Sequence, residues 1–283
     1  MKAAMDGPLS VKVLMYHRVV ADRTLSDRYW FCVHVDDFRR QLELLEQWGF
    51  SSITFEDYRL FLRGDLDLPP KTVILTFDDG YLDTYTNAFP LVQEFRMKAV
   101  VFALGERKIR TNVWDELKGY PSAPLMEGHQ LLEMHLAGWE IGSHTLAHHD
   151  LSQLSGDGLW KEVSRSRMLL EILLNDKVLT FSYPFGIASP RAKEMVASAG
   201  YDLACAGEAG VAAFGADPLE IKRIKISNST GSLGLAFRVL LPFEYLTSAY
   251  AFGRTLLFGG NGKNGPAPRN GHKKETKTIS TKS

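Results

Sequence analysis

An α/β architecture, either a βα barrel or a doubly wound sheet, is predicted by three features of this sequence. Short apolar runs alternate with segments of helical periodicity. The clearest of these runs is nearly uninterrupted and rich in β-branched residues, as a parallel strand covered on both faces requires. Several runs stop at a His, Asp or Tyr, and in both architectures the C-terminal strand ends converge on the ligand-binding face.

Residues Val11 to Tyr16 read as the first strand, which ends on His17. From Val35, the apolar positions Phe38, Leu42, Leu45 and Trp48 recur at helical spacing as far as Gly49, a suitable helix C-terminus. The β-branched run from Val73 to Phe77 ends on Asp78-Asp79-Gly80. A helix near Tyr85 to Phe95 leads to a strand from Ala99 to Leu104. A helix around His129 to Leu136 then precedes the strand from Trp139 to Gly142, which runs into Ser143-His144. A helix from Leu159 to Leu174, a strand from Val178 to Ser182, a helix from Pro190 to Ser198 and strands from Tyr201 to Cys205 and Glu220 to Ile226 complete the alternation.

With 283 residues, 45% apolar and 23% charged, the chain can bury one large core. Lys+Arg and Asp+Glu both number 33, so no net field selects nucleic acid. Cys32 and Cys205 make neither a disulfide framework nor a CxxC pair, which fits a reduced compartment. Met1 to Ser10 lacks the apolar run of a signal peptide, so a cytoplasmic location is expected. The apolar stretch Leu233 to Phe258 is broken by Arg238, Pro242, Glu244 and Arg254, too often for a convincing membrane span. It is expected to pack as a helix on the domain, with peripheral membrane or lipid-linked glycan contact as the alternative. The expected organisation is a catalytic domain over 1–230, an apolar helical segment over 231–258 and a disordered tail over 259–283.

Amide hydrolysis near neutrality needs an activated water, a Lewis acid for the carbonyl oxygen and a proton for the departing amine. His144 and His148 stand four residues apart and share one side of a helical turn, where they can hold a cation. By itself this spacing equally describes a surface pair. Asp78-Asp79-Gly80 is likewise ordinary turn chemistry, except that it terminates a buried strand. One carboxylate there can bind metal while the other remains a base. Two His and one Asp form a facial set that leaves positions open for water and substrate.

Thr76-Phe77-Asp78-Asp79-Gly80, Gly142-Ser143-His144-Thr145-Leu146-Ala147-His148 and Ser182-Tyr183-Pro184-Phe185-Gly186 resemble the first three motifs of the polysaccharide deacetylases. This is carbohydrate esterase family four, the NodB-homology fold, and the branch most resembled is that of the poly-N-acetylglucosamine deacetylases. The resemblance runs from about Val11 to Ile226. It implies a distorted (β/α) barrel that removes N-acetyl groups from amino sugars with a divalent metal, zinc first among candidates. Asp78 becomes the general base and Asp79, His144 and His148 the metal ligands. Gly80, Tyr81, Tyr183, Pro184 and Phe185 become substrate-binding candidates, and Trp114 a further candidate for the mouth. A hydrolase of small non-sugar amides and a catalytically silent sugar-binding module are the competing functions.

Two departures from the family pattern carry expectations of their own. Ser182 stands where the third motif usually has an Arg that orients the base, so another group must hold Asp78. The late Leu-x-His that usually supplies the acid is not evident, and Tyr16-His17 is expected to replace it, giving His17 the role of general acid. His149 is expected at the surface or behind the ligands.

Overall fold

The computed structural model describes residues 11–207 and 217–241. The expected tail over 259–283 and most of the expected segment over 231–258 lie outside these residues.

Ten strands are present among the described residues: β1 Lys12–Tyr16, β2 Arg18–Val20, β3 Cys32–His34, β4 Ser51–Ser52, β5 Thr72–Phe77, β6 Val100–Ala103, β7 Glu140–Ser143, β8 Thr180–Ser182, β9 Leu203–Cys205 and β10 Ile224–Lys225. Eight of them form one parallel sheet in the order β10-β1-β5-β6-β7-β8-β9, with β4 pairing beside β5, while β2 and β3 make a separate pair. Every residue of β5 is buried, which explains its unbroken apolar pattern. Beyond β9, a parallel bridge joins Cys205 to Ile221, the segment that leads into β10. Ile221 N–H donates to the Ala204 carbonyl and accepts Ala206 N–H on its own carbonyl, both at 2.8 Å. The two edges of the sheet are thereby brought together, and the sheet curls as a barrel with helices around it.

The helices follow their sequence signals. Val35–Gln47 is capped by His34, whose Nδ1 accepts the Asp36 N–H at 3.2 Å, and buries Phe38, Leu42 and Leu45. Phe55–Arg63 opens with a Thr54–Asp57 capping box and closes at Gly64, whose φ of 80° suits a residue without Cβ. The predicted helix from Leu159 to Leu174 is longer at its start and interrupted by a π-helical turn at Lys161–Arg165. That turn aims the buried Glu162 at the loop after β7, where it accepts the Ala147 N–H at 3.0 Å. Ser232–Leu240 is helical and buries Leu235 and Val239 in the main core, so the domain extends past residue 230. No helix among the described residues is long and apolar enough to cross a membrane.

The candidate active site

His17, Asp78, Asp79, His144 and Tyr183 follow the C-terminal ends of β1, β5, β7 and β8, and all five line one cleft of about 380 Å3. The register explains the convergence. β1 pairs with β5 so that Tyr16 lies opposite Phe77, and the Asp78 N–H donates to the Tyr16 carbonyl at 3.1 Å. His17 and Asp78 therefore leave adjacent strands at the same level.

Asp79 takes the left-handed conformation with φ 73°, followed by Gly80 at the same φ. A non-Gly residue there is strained, and here the kink turns the second carboxylate toward His144 and His148. Asp79 Oδ1 lies 3.2 Å from Nε2 of each imidazole. One donor atom from each of the three side chains falls within 4.8 Å of the others, and all three residues are buried. The Asp78 carboxylate points elsewhere, to Arg223.

The His pair is not on a helix, contrary to the helical turn expected from its spacing. Residues after β7 form a turn in which Thr145 and His148 have φ of 65° and 60°. Thr145 Oγ1 accepts the His148 N–H at 2.9 Å, and the Thr145 carbonyl accepts from Gly105 N–H and Ser166 Oγ. This network does what helical hydrogen bonds would have done. His149 points away to pair with Glu162 at 2.9 Å and is largely exposed, as expected for a residue beside the site.

The donor set fits a divalent cation. His144 Nδ1 lies 2.7 Å from the Ser182 carbonyl, which can only accept, so Nδ1 carries the proton. Its Nε2 then meets Asp79 either as an imidazolium or across a shared cation. His148 stacks on Trp114, with ring centroids 4.1 Å apart and 18° between planes. Its Nδ1 is buried with no hydrogen-bond partner among the described residues. Burial pushes the His148 imidazole down, toward the neutral form a metal needs. Burial alone pushes Asp79 up, but the hydrogen bonds of His144 and His148 outweigh it and hold the carboxyl well below its usual range.

Arg223 is the residue that the sequence analysis left unnamed. Its Nη1 and Nη2 donate to Asp78 Oδ1 and Oδ2 at 2.7 and 2.6 Å, a bidentate fork. Ser182 stays in the same network: it accepts from Arg223 Nη2 at 3.0 Å and reaches Asp78 at 3.4 Å. Burial pushes the Asp78 carboxyl up, and the Arg223 guanidinium more than offsets this. The guanidinium thus reaches Asp78 from the segment beside β10 instead of from the third motif. The only sequence signal was a Lys-Arg pair inside an apolar strand candidate, where a charge needs a buried partner.

Among the substrate-binding candidates, Tyr183 and Phe185 line the cleft, whereas Gly80, Tyr81 and Pro184 do not. Tyr81 is fully buried and donates its hydroxyl to Asp115 Oδ2 at 3.0 Å. Gly80 serves the backbone, since its φ of 73° is a left-handed conformation that L side chains rarely adopt. Pro184 is buried beneath the loop. Trp30, Trp114, Tyr120, Lys118 and Lys225 also stand on the walls.

Comparison with known proteins agrees with this geometry. Residues 65–204 match the family model described as polysaccharide deacetylase. The chain carries a polysaccharide deacetylase domain over these residues. It is a hydrolase acting on carbon–nitrogen bonds. The matched region holds Asp78, Asp79, His144, His148 and Ser182, while His17 and Arg223 fall on either side of it. The YxkH protein of Bacillus subtilis (strain 168) is 26% identical over 232 residues, 82% of this chain and 76% of that protein. The poly-β-1,6-N-acetyl-D-glucosamine N-deacetylase of Staphylococcus aureus (strain MRSA252) is 23% identical, with 77% of this chain and 79% of that protein covered. Among solved structures, the Streptococcus pyogenes deacetylase PplD in complex with acetate superposes with a TM-score of 0.71 at 26% identity, covering 83% of this chain and all of that chain.

Proposed function

We propose that the chain is a metal-dependent N-deacetylase of amino sugars in a polysaccharide or glycan precursor, releasing acetate and a free amine. The observation that carries this reading is the division of labour between adjacent aspartates. Asp79 joins His144 and His148 in a compact donor set, while Asp78 is held out of it by Arg223. The likeness to the S. aureus N-deacetylase supports the choice of an acetylated amino sugar.

Asp79, His144 and His148 would hold the cation, and the mixed nitrogen and oxygen donors suit zinc. When bound, the cation supplies Lewis-acid polarisation of the acetyl carbonyl and lowers the pKa of water. Asp78 takes the proton of the attacking water, and Arg223 fixes its orientation through both oxygens. Arg223 also keeps Asp78 ionised, hence ready to accept a proton. His17, which lines the same cleft, delivers a proton to the departing amine. Its ring is braced edge-on by Trp30 at 5.4 Å. Trp114 and Phe185 pack against His148 and wall the cleft, where aromatic faces suit sugar rings.

Acetate release from N-acetylglucosamine oligomers, measured with the protein metal-loaded, chelated and reloaded, tests the proposal. Release that stops on chelation and returns with zinc is expected. Hydrolysis confined to small non-sugar amides would replace this reading with that of a general amidohydrolase. Saccharide binding without release under any metal would make the chain a silent sugar-binding module.

A further inference from the structure

Two lysines stand on the wall of the cleft, and neither has a part in the chemistry above. Lys225 Nζ lies 3.2 Å from the centre of the Trp30 ring, and Trp30 in turn braces His17. Lys118 Nζ lies 4.3 Å from the centre of the Phe185 ring, and Phe185 meets His148 edge-on at 4.9 Å. One cation thus flanks the acid side of the cleft and the other the metal side, each laid on an aromatic face that a sugar ring would also use.

The carboxylates lining the cleft leave these charges poorly matched. They are Asp78, Asp79 and Asp115. Asp78 is taken by Arg223 and Asp79 by the two imidazoles. Asp115 accepts from Tyr81 at 3.0 Å and approaches Lys118 only at 3.7 Å. Among the described residues Lys225 has no ion-pair partner. Partial burial lowers its ammonium pKa, although the side chain stays largely open to water. A divalent cation in the donor set would make the cleft more positive still.

We propose that Lys118 and Lys225 select N-acetylated glycans that carry an anionic group, a carboxylate or a phosphate, beside the sugar being deacetylated. This rests on the deacetylase reading and narrows its substrate class. A neutral homopolymer gains an ammonium at every turnover, and two lysines on the cleft wall repel the product as it accumulates. An acidic repeat reverses that sign. The anion answers Lys225 and Lys118 while the acetylated ring rests on the aromatic walls.

The test compares kcat/KM of the zinc-loaded protein on three tetrasaccharides. One is made of N-acetylglucosamine alone, one alternates N-acetylglucosamine with glucuronate, and one carries a phosphate ester on the neighbouring sugar. At least one acidic substrate should exceed the neutral one by about tenfold, as expected for one ion pair in a half-screened site. That ratio should shrink as salt rises from about 0.05 to about 0.5 M. It should also collapse toward one in the K118Q/K225Q double variant. A preference confined to the uronate, or to the phosphate, names the source of the anion, and a preference for both makes charge alone the criterion. Equal or faster release from the neutral oligomer overturns the inference and leaves the deacetylase reading intact. Release from none of the three overturns both.

Discussion

Arg223 grips both oxygens of Asp78 from 145 residues further along the chain, at 2.7 and 2.6 Å, with both side chains almost fully buried. A fork of this kind fixes the plane of a carboxylate, and the plane decides which lone pair faces the water to be deprotonated.

Removing the fork while keeping the charge separates orientation from electrostatics. Arg223→Lys should lower kcat by about tenfold to a hundredfold, because a single ammonium cannot hold both oxygens. Arg223→Ala should cost more and destabilise the fold by about 3–5 kcal/mol, since it strands a buried carboxylate. It should also move the acidic limb of the pH–rate profile upward, because burial then raises the Asp78 pKa against only the smaller opposing effects of His144 and His17. Denaturant melts and pH profiles of the two variants read these effects. An Arg223→Ala protein with the original acidic limb would show that Asp78 is not the titrating base.

Asp78→Asn retains size and loses basicity. Turnover should fall by about 10² to 10⁴ with metal still bound. Asp79→Asn should instead deplete the metal, as elemental analysis after gel filtration will show. The reverse pattern would exchange the two roles.

Trp114 holds His148 by stacking, where His144 is held by the Ser182 carbonyl. Trp114→Ala should therefore weaken zinc by about tenfold to a hundredfold in a chelator competition, and Trp114→Phe by much less. Equal zinc affinity in all three proteins would mean that His148 needs no such support.

Glu140 gives stability a pH dependence at the far end of the barrel. Burial pushes its carboxyl up to about 7, although it accepts from Thr180 Oγ1 at 2.7 Å and the Glu56 N–H at 3.0 Å. The fold holds this proton more tightly than the unfolded chain, where the ordinary value is 4.5. Stability contributed here is full below about 4.5 and falls as the pH rises through about 7. Glu140→Gln can keep both contacts, with its carbonyl toward Glu56 and its amide toward Thr180. It should be about 1–2 kcal/mol more stable than the parent at pH 8, with no gain at pH 4. Urea melts at the two pH values check the crossing.

The sequence disclosed most of the fold because β5 and its neighbours are buried on both faces and write that burial as unbroken apolar runs. It disclosed the His and Asp residues at strand ends for the same reason, since a strand end in a parallel barrel faces the mouth. It misplaced the His pair on a helix, because a spacing of four residues suits a helical turn and this folded turn alike. Arg223 was legible only as a charge inside an apolar strand candidate, not as the partner of Asp78. Its partner lies in another strand, and nothing in the local sequence says which buried charge will meet which. Tyr81, close to the ligands in sequence, turned inward instead, because its hydroxyl found Asp115.

The sheet order sets β1 between β5 and β10, so His17 from near the start of the chain and Arg223 from near its end approach Asp78, the proposed base, from the same side of β5. During synthesis on the ribosome the three proposed metal ligands, Asp79, His144 and His148, have all emerged well before residue 223. A nascent barrel could acquire its cation with its base still unaimed. Competence would then arrive in one late step, when the last strand docks, so that an incompletely made chain would bind metal without hydrolysing anything.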